Sequence, residues 1–277
     1  MLAFGDLERV AGLMRETAAV ELLPRFRNLA QEDIRHKRPG DVVTVADVAA
    51  EQRLASGLAK ILPGVPVVGE ESVENDASLL ELIGRPGESC WIVDPLDGTA
   101  NFAAGRERFA IIVCLVHDAE AIGGWILDVP NDRMAVAGKG QGVRLQGESV
   151  PRLTVSRPPR GYIGFKMRKE FDRQLSPGQR SAVGSLTSLN CAGREYLEIL
   201  AGNREFSLYR RTKPWDHAAG ALMITEAGGI AVRFDGEPYR PAGGVEAGII
   251  AAATPEVLRE VRTVLEAVRL PLLAQRS

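Results

Sequence analysis

The stretch Trp91-Ile92-Val93-Asp94-Pro95-Leu96-Asp97-Gly98-Thr99-Ala100-Asn101-Phe102 decides how the rest of this chain is read. An apolar run from Cys90 to Val93 stops at an aspartate, which predicts a buried strand whose last residue emerges at a sheet edge. Pro95 and Gly98 then turn the chain, and a tight turn can aim Asp94, Asp97 and the Leu96 carbonyl at one point. Hard oxygen donors gathered in this way suit Mg²⁺, whereas zinc calls for His or Cys. Gly98-Thr99 adds backbone N–H groups and a hydroxyl just past the turn, a cradle suited to phosphate. The same residues also make an ordinary β-turn in which both aspartates bond their own backbone.

Three other segments carry carboxylates at structurally marked places. Val65 to Gly69 predicts a second buried strand, and it ends in Glu70-Glu71-Ser72, adjacent like charges that repel unless solvated or bridged by a cation. Thr44-Val45-Ala46-Asp47 has capping-box spacing, and the helix it opens carries Leu54, Leu58 and Ile61 before Pro63-Gly64 stops it. The cap fixes Asp47 and still lets it face a site. Pro214-Trp215-Asp216-His217-Ala218-Ala219-Gly220 opens a helix on an aspartate. It reads as a plain N-cap or, with a bulky Trp beside small residues, as a helix start lying close against a ligand or another backbone. His36, His117 and His217 are scattered at no metal-pair spacing and read as surface or structural. Gly138 to Gly142 lies between two strands and reads as a hairpin, since a nucleotide-binding glycine loop must open a helix.

Working outward, Leu7, Val10, Met14 and Thr17 predict a first amphipathic helix that Pro24 interrupts. Ala110 to Val116 with Ile122 to Leu127, and Met134 to Ala137 with Val143 to Leu145, predict strand pairs in a meander. Arg157 to Gln179, rich in Pro, Gly and charge, is the expected boundary between two halves. Beyond it, helices at Cys191 to Leu200, Asp216 to Ala227 and after Thr254-Pro255 alternate with strands at Phe206 to Tyr209, Ile230 to Phe234 and Gly248 to Ala252. The expectation is an N-terminal α+β part, residues 1–156, carrying Asp47, Glu70, Asp94 and Asp97. A C-terminal α/β part, residues 157–277, carries Asp216, and the two pack as one unit.

Composition excludes several classes. The 277 residues hold 34 Lys+Arg against 36 Asp+Glu and are 45% apolar, so neither disorder nor a fibrous repeat fits. A net charge of -2 gives no electrostatic reason to expect nucleic acid as the main partner, so an anionic ligand must be held locally. Cys90, Cys114 and Cys191 form no C-x-x-C pair, which favours reduced thiols and a cytoplasmic setting. Acidic residues Asp6, Glu8 and Glu16 near the start fit neither a signal nor a transit peptide, and no apolar run reaches the roughly 18 residues of a membrane span.

Together, Gly69-Glu70-Glu71-Ser72, Asp94 to Phe102 and Trp215-Asp216-His217-Ala218-Ala219-Gly220 resemble, in order and spacing, the three signature motifs of the inositol monophosphatase family. Asp41 to Asp47 is similar to a fourth motif of that family, and Glu226-Ala227-Gly228-Gly229 to its usual helix ending. The resemblance implies a layered α/β/α/β/α sandwich of the sugar-phosphatase type and a Mg²⁺-dependent phosphomonoesterase. It also implies two or three ions, with Mn²⁺ as a substitute and Li⁺ as an inhibitor, and a homodimer. Carried over by position, Glu70, Asp94 and the Leu96 carbonyl hold a first metal, and Asp94, Asp97 and Asp216 a second. Asp47 and Thr99 orient the attacking water, with Glu70 beside them, and the Gly98 and Thr99 backbone contacts the phosphate. Direct attack by water needs no nucleophilic side chain.

The departures concern the substrate. Where inositol-hydrolysing relatives carry an acidic residue seven positions before the Trp-Asp aspartate, this chain has Tyr209, followed by Arg210-Arg211-Thr212-Lys213. That favours a more anionic substrate, or is a solvated loop. The small-residue stretch expected to face the substrate is Gly184-Ser185-Leu186 or Asn190-Cys191-Ala192, and counting back from Ala201-Gly202 favours the second and with it Ala192. The expected substrate is a small phosphorylated polyol or sugar, inositol phosphate among them. Alternatives are fructose 1,6-bisphosphate, histidinol phosphate and 3'-phosphoadenosine phosphate, and, outside enzymes, a catalytically idle binding or regulatory role.

Overall fold

The computed structural model describes residues 4–38 and 41–270. Helix α1 (Phe4–Thr17) runs into a short π-helical turn, Ala18–Leu22, and a hairpin of β1 (Ile34–Arg38) and β2 (Asp41–Thr44) leads into α2 (Val45–Ile61). The predicted capping box is present at α2: the Thr44 N–H donates to Asp47 Oδ2 at 2.8 Å and Thr44 Oγ1 accepts from the Ala46 N–H at 3.2 Å. Strand β3 (Val67–Gly69) is followed at once by α3 (Glu70–Asn75), so the paired glutamates open a helix, where acidic side chains favour the positive end of the backbone dipoles.

A seven-stranded sheet follows: β4 (Ser89–Asp97), which runs into the short α4 (Thr99–Ala103), then β5 (Ala110–His117), β6 (Glu120–Asp128), β7 (Arg133–Gly138), β8 (Val143–Leu145) and β9 (Glu148–Ser149), with β3 parallel to β4 at the edge. From β4 to β9 each strand is antiparallel to the next, the expected meander. Both faces are buried. Along β5, Ile111, Val113 and Leu115 join the core under α1 and α2, while Ala110, Ile112, Cys114 and Val116 join the opposite core. The Trp125 Nε1–H donates to the Leu7 carbonyl at 2.9 Å and pins α1 to β6.

The second sheet is built from β10 (Gly161–Ile163), β11 (Leu186–Thr187), β12 (Phe206–Tyr209), β13 (Ile230–Arg233) and β14 (Ile249–Ala252), in the order β11-β10-β12-β14-β13. The helices are α5 (Phe165–Gln174), α6 (Pro177–Ser181), α7 (Ala192–Leu200), α8 (Pro214–Glu226) and α9 (Pro255–Glu266). Helices α7 and α8 fill the space between the sheets, and α5 and α9 cover the outer face of the second with Met167, Phe171, Val257 and Val261. The result is the expected α/β/α/β/α layering. Helix α8 is buried nearly all round, which is why it is written in small residues. A Cβ on Gly220 would lie 2.3 Å from the Tyr196 ring, and one on Gly124 3.1 Å from the Ala219 backbone.

The stretch from Arg157 to Gln179 holds more order than its composition suggests, namely β10 and α5. Its signal is weak because β10 is three residues long and α5 buries only Met167 and Phe171.

Candidate active site

Strand β4 carries the first decision. On a regular strand Asp94 and Asp97, three apart, would point to opposite faces. Here the pairing with β5 slips between them: Asp94 lies opposite Ile112 and Asp97 opposite Ala110, three steps against two. This bulge returns both aspartates to the face toward α7 and α8, the side that Ile112 and Ala110 share. The turn closes at Gly98, whose φ of 89° is left-handed and where a Cβ would meet the Arg108 carbonyl at 2.7 Å. Asn101 Nδ2 anchors it, lying 2.9 Å from the Arg108 and Leu189 carbonyls and 3.1 Å from that of Asn190.

Asp47 arrives from α2. Its Oδ2 accepts from Thr44 Oγ1 at 2.6 Å, and its Oδ1 lies 2.9 Å from Thr99 Oγ1. That same hydroxyl is 2.9 Å from the Leu96 carbonyl and has one proton to give. When Asp47 is ionised the proton points to it, which leaves the Leu96 oxygen available to a cation. Burial pushes the Asp47 carboxyl up to about 6, and Glu70 adds to the rise against the hydrogen bonds from Thr44 and Thr99.

Glu70 from α3, Asp94 from β4 and Asp216 from the first turn of α8 bring one carboxylate oxygen each within 4.8 Å of one another. Asp94 is 2% exposed, with Oδ1 held at 3.0 Å by the Leu96 N–H. Burial, then the charges of Glu70, Asp97 and Asp216, drive its carboxyl well above the usual range, and Lys213 offsets part of this. Three carboxylates this close, one of them buried, form a donor set of hard oxygens whose mutual repulsion a divalent cation relieves; the residues fit Mg²⁺ or Mn²⁺ and lack the nitrogen and sulfur of a zinc site. Lys213 Nζ also reaches the cluster, 2.8 Å from Glu70 Oε1.

Asp97 faces the same region but is held by α7: its Oδ2 accepts from the Gly193 N–H at 2.6 Å and lies 3.1 Å from Cys191 Sγ. Burial and the Asp216 charge push its carboxyl to about 7 despite these donors and the Ala192 N–H. Ala192, buried, thus begins the helix that anchors Asp97. Tyr209, at the end of β12, donates its hydroxyl to Glu195 Oε2 at 2.6 Å, so a buried carboxylate stands directly behind the tyrosine. His217 is structural, as expected: burial lowers its imidazole to about 3, with Nε2 on the Arg211 carbonyl at 3.0 Å and Nδ1 on the Tyr196 hydroxyl at 3.2 Å.

Sequence reasoning missed Glu51. It is 5% exposed, and its carboxylate caps α3, accepting from the N–H groups of Glu71 at 2.8 Å and Ser72 at 2.9 Å and from the Ser72 hydroxyl. Gly69 makes room for it, since a Cβ there would sit 2.2 Å from the Glu51 carboxylate. The signal was a glutamate on the buried stripe Asp47, Ala50, Glu51, Leu54, Leu58 of α2, a position that demands partners. Glu51→Ala should cost about 2 kcal/mol of stability, by stranding those donors, and loosen Glu70. Thermal unfolding and a metal titration of the variant check this; unchanged metal affinity would show that the cap does not position Glu70.

The carboxyls also set a pH dependence for the metal-free protein. Raised values mean that the folded state keeps protons the unfolded chain releases, so stability falls as pH rises from the unfolded values near 3.8 through about 6 for Asp47 and about 7 for Asp97, with Asp94 in the same direction. His217 acts oppositely, its contribution lost as pH falls from 6.5 toward about 3, but three carboxyls outweigh one ring. Melting temperature in chelator should therefore decline between about pH 5 and pH 7, and Mg²⁺ should flatten the curve.

Set beside known proteins, residues 7–268 match the family model described as the inositol monophosphatase family. The chain is 30% identical over 237 residues to the Nus factor SuhB of Pseudomonas aeruginosa, covering 80% of this chain and 85% of that one. It is 29% identical over 261 residues to the inositol-1-monophosphatase of Rhizobium meliloti, covering 90% and 92%. Among solved structures, the IMPase of Thermotoga maritima shares the fold with a TM-score of 0.77 at 22% identity, over 95% of this chain and 99% of that one.

Proposed function

The chain belongs to the inositol monophosphatase family and is a phosphoric monoester hydrolase, and we propose that it cleaves a small phosphorylated polyol or sugar by direct attack of water with Mg²⁺ bound among its carboxylates. The observation that carries this reading is the convergence of Glu70, Asp94 and Asp216 within 4.8 Å, beside an Asp47–Thr99 pair at 2.9 Å. Glu70, Asp94 and the Leu96 carbonyl would hold one ion, and Asp94, Asp97 and Asp216 a second. Bound there, divalent ions reverse the local charge, acidify water and stabilise the entering and leaving oxygens of an in-line displacement.

The chain's own groups do the rest. Thr99 Oγ1 gives its proton toward Asp47 and can accept one from the attacking water, which aligns that water and leaves Asp47 as the proton's destination. Burial holds that carboxyl at about 6 without metal, and cations bound beside it would lower it, so Asp47 is ionised and able to accept a proton at neutral pH. The water oxygen joins phosphorus, the ester P–O bond breaks, and the leaving alkoxide takes a proton from solvent, to which Asp47 later releases the one it accepted. The Gly98 and Thr99 backbone would meet the phosphate, and Ala192 and Tyr209 the alcohol. The reading also carries a reduced, cytoplasmic setting, consistent with Cys90, Cys114 and Cys191 being free and buried, and a homodimer.

The test is phosphate release from inositol 1-phosphate, fructose 1,6-bisphosphate, histidinol phosphate and 3'-phosphoadenosine phosphate, with and without Mg²⁺ and with Li⁺ added. Release from at least one, dependent on Mg²⁺ and suppressed by Li⁺, is expected. One relative is named a Nus factor, and the second reading is a catalytically idle binding or regulatory role. Mg²⁺ binding with no release from any ester, while a cellular role survives Asp94→Asn, would establish that reading instead.

A further inference from the structure

The start of α8 delivers two opposite charges to one cluster. Asp216 lies in the first turn, and Lys213 is the residue just before Pro214, with φ −58° and ψ 128°. The Asp216 N–H donates to the Lys213 carbonyl at 3.2 Å and closes the turn between them. With proline setting the next backbone step, the two side chains leave a short, restrained segment. The Lys213 ammonium then rests 2.8 Å from Glu70 Oε1 and 5.3 Å from the centre of the Trp215 ring. It stands 143 positions from its carboxylate partner in sequence. Lys213 is 31% exposed and Glu70 16%, so the pair lies at the mouth of the cluster, with water on the lysine's side.

We propose that Lys213 is a built-in counter-ion of the carboxylate cluster, which a divalent metal must displace from Glu70 before that carboxylate can coordinate it. This rests on the reading of Glu70, Asp94 and Asp216 as metal ligands. An ammonium hydrogen-bonded to a carboxylate and a divalent ion coordinated by the same group would stand within a few ångströms of each other as like charges, in a site walled by buried side chains. One of them must leave. The lysine can do so without unfolding anything, because its four-carbon stem is flexible, its outer side is open to water, and the Trp215 face offers the cation a second favourable contact.

Two consequences follow from the competition. The ammonium lets Glu70, Asp94 and Asp216 stay together in the metal-free protein. Equally, every metal-binding event must break the Lys213–Glu70 pair, so Lys213 sets the metal affinity lower than the carboxylates alone would.

The experiment is a calorimetric titration of chelator-stripped full-length protein with Mg²⁺, without substrate, on the unsubstituted protein, Lys213→Met and Lys213→Arg. Lys213→Met should bind Mg²⁺ about five- to twentyfold more tightly, the range expected for losing a partly exposed charge-assisted pair, while Lys213→Arg should stay near the unsubstituted protein. The metal-free melting temperature of Lys213→Met should drop, and its gap from the unsubstituted protein should close at saturating Mg²⁺. Should Lys213→Met fail to survive stripping, Lys213→Gln purified with Mg²⁺ and titrated with a competing chelator reads the same affinity. Equal or weaker Mg²⁺ binding by a folded neutral variant overturns the inference, and unchanged Mg²⁺ affinity with a raised KM would make Lys213 a substrate contact instead. Absence of Mg²⁺ binding to the unsubstituted protein overturns the underlying metal reading as well, and Asp94→Asn, expected to abolish the heat, identifies the site titrated.

Discussion

Asp94→Asn should lower kcat/KM by about a thousandfold or more, the loss of about 4 kcal/mol of charge stabilisation in the transition state, while the metal-free protein melts at a higher temperature than the unsubstituted one. The two effects share a cause. Asp94 is buried at 2% exposure beside Glu70, Asp97 and Asp216, so its negative charge is costly without a cation. Asparagine keeps an oxygen for the Leu96 N–H, which now holds Asp94 Oδ1 at 3.0 Å, and the β4 bulge should persist. Phosphate release, Mg²⁺ calorimetry and thermal unfolding in chelator measure the three parts. Full Mg²⁺-dependent activity in this variant would remove Asp94 from the site.

Asp47→Asn should separate binding from turnover. An amide offers one acceptor oxygen where the carboxylate accepts from Thr44 on one oxygen and from Thr99 on the other, and it cannot take up a proton at neutral pH. We expect kcat to fall by about a hundredfold to ten-thousandfold, the usual scale of a lost general base, with Mg²⁺ affinity changed far less because Asp47 lies outside the trio of Glu70, Asp94 and Asp216. The acid limb of the rate profile, at or below about 6, should disappear with it. An equal loss of Mg²⁺ binding would move Asp47 from proton acceptor to metal ligand. The cap of α2 survives in part, since the asparagine oxygen can still accept from the Thr44 N–H, so the fold should hold.

Much of this site can be read in the linear chain, because its chemistry is written beside turn formers. Asp94 and Asp97 flank Pro95 and precede Gly98, Glu70 follows an apolar strand, Asp47 sits in a capping box and Asp216 opens a helix after Pro214. Elsewhere an apolar stripe repeating every three to four residues marks α2 and α9, while β5, β6 and α8 show as apolar runs because they are buried on all sides. Glu51 escaped because nothing in its neighbourhood announces that it will cap α3, some twenty positions downstream. The segment holding β10 and α5 escaped because its apolar stripe is two residues long.

By itself, then, the sequence determined the strands, turns and helix starts and set a carboxylate at each of them, because propensity and capping act over a few residues, while the layered α/β class and the ligand set were legible only as what the resemblance to a family implies. Only the tertiary structure decided which of these groups face one another. A bulge in the β4–β5 register turns Asp94 and Asp97 to one side. Helix α7 takes Asp97 onto the Gly193 N–H, Tyr209 meets Glu195, and Lys213 reaches Glu70. Such meetings are fixed by sheet register and by helices wedged between two sheets, where close packing leaves each side chain one place to go, and no local pattern encodes them.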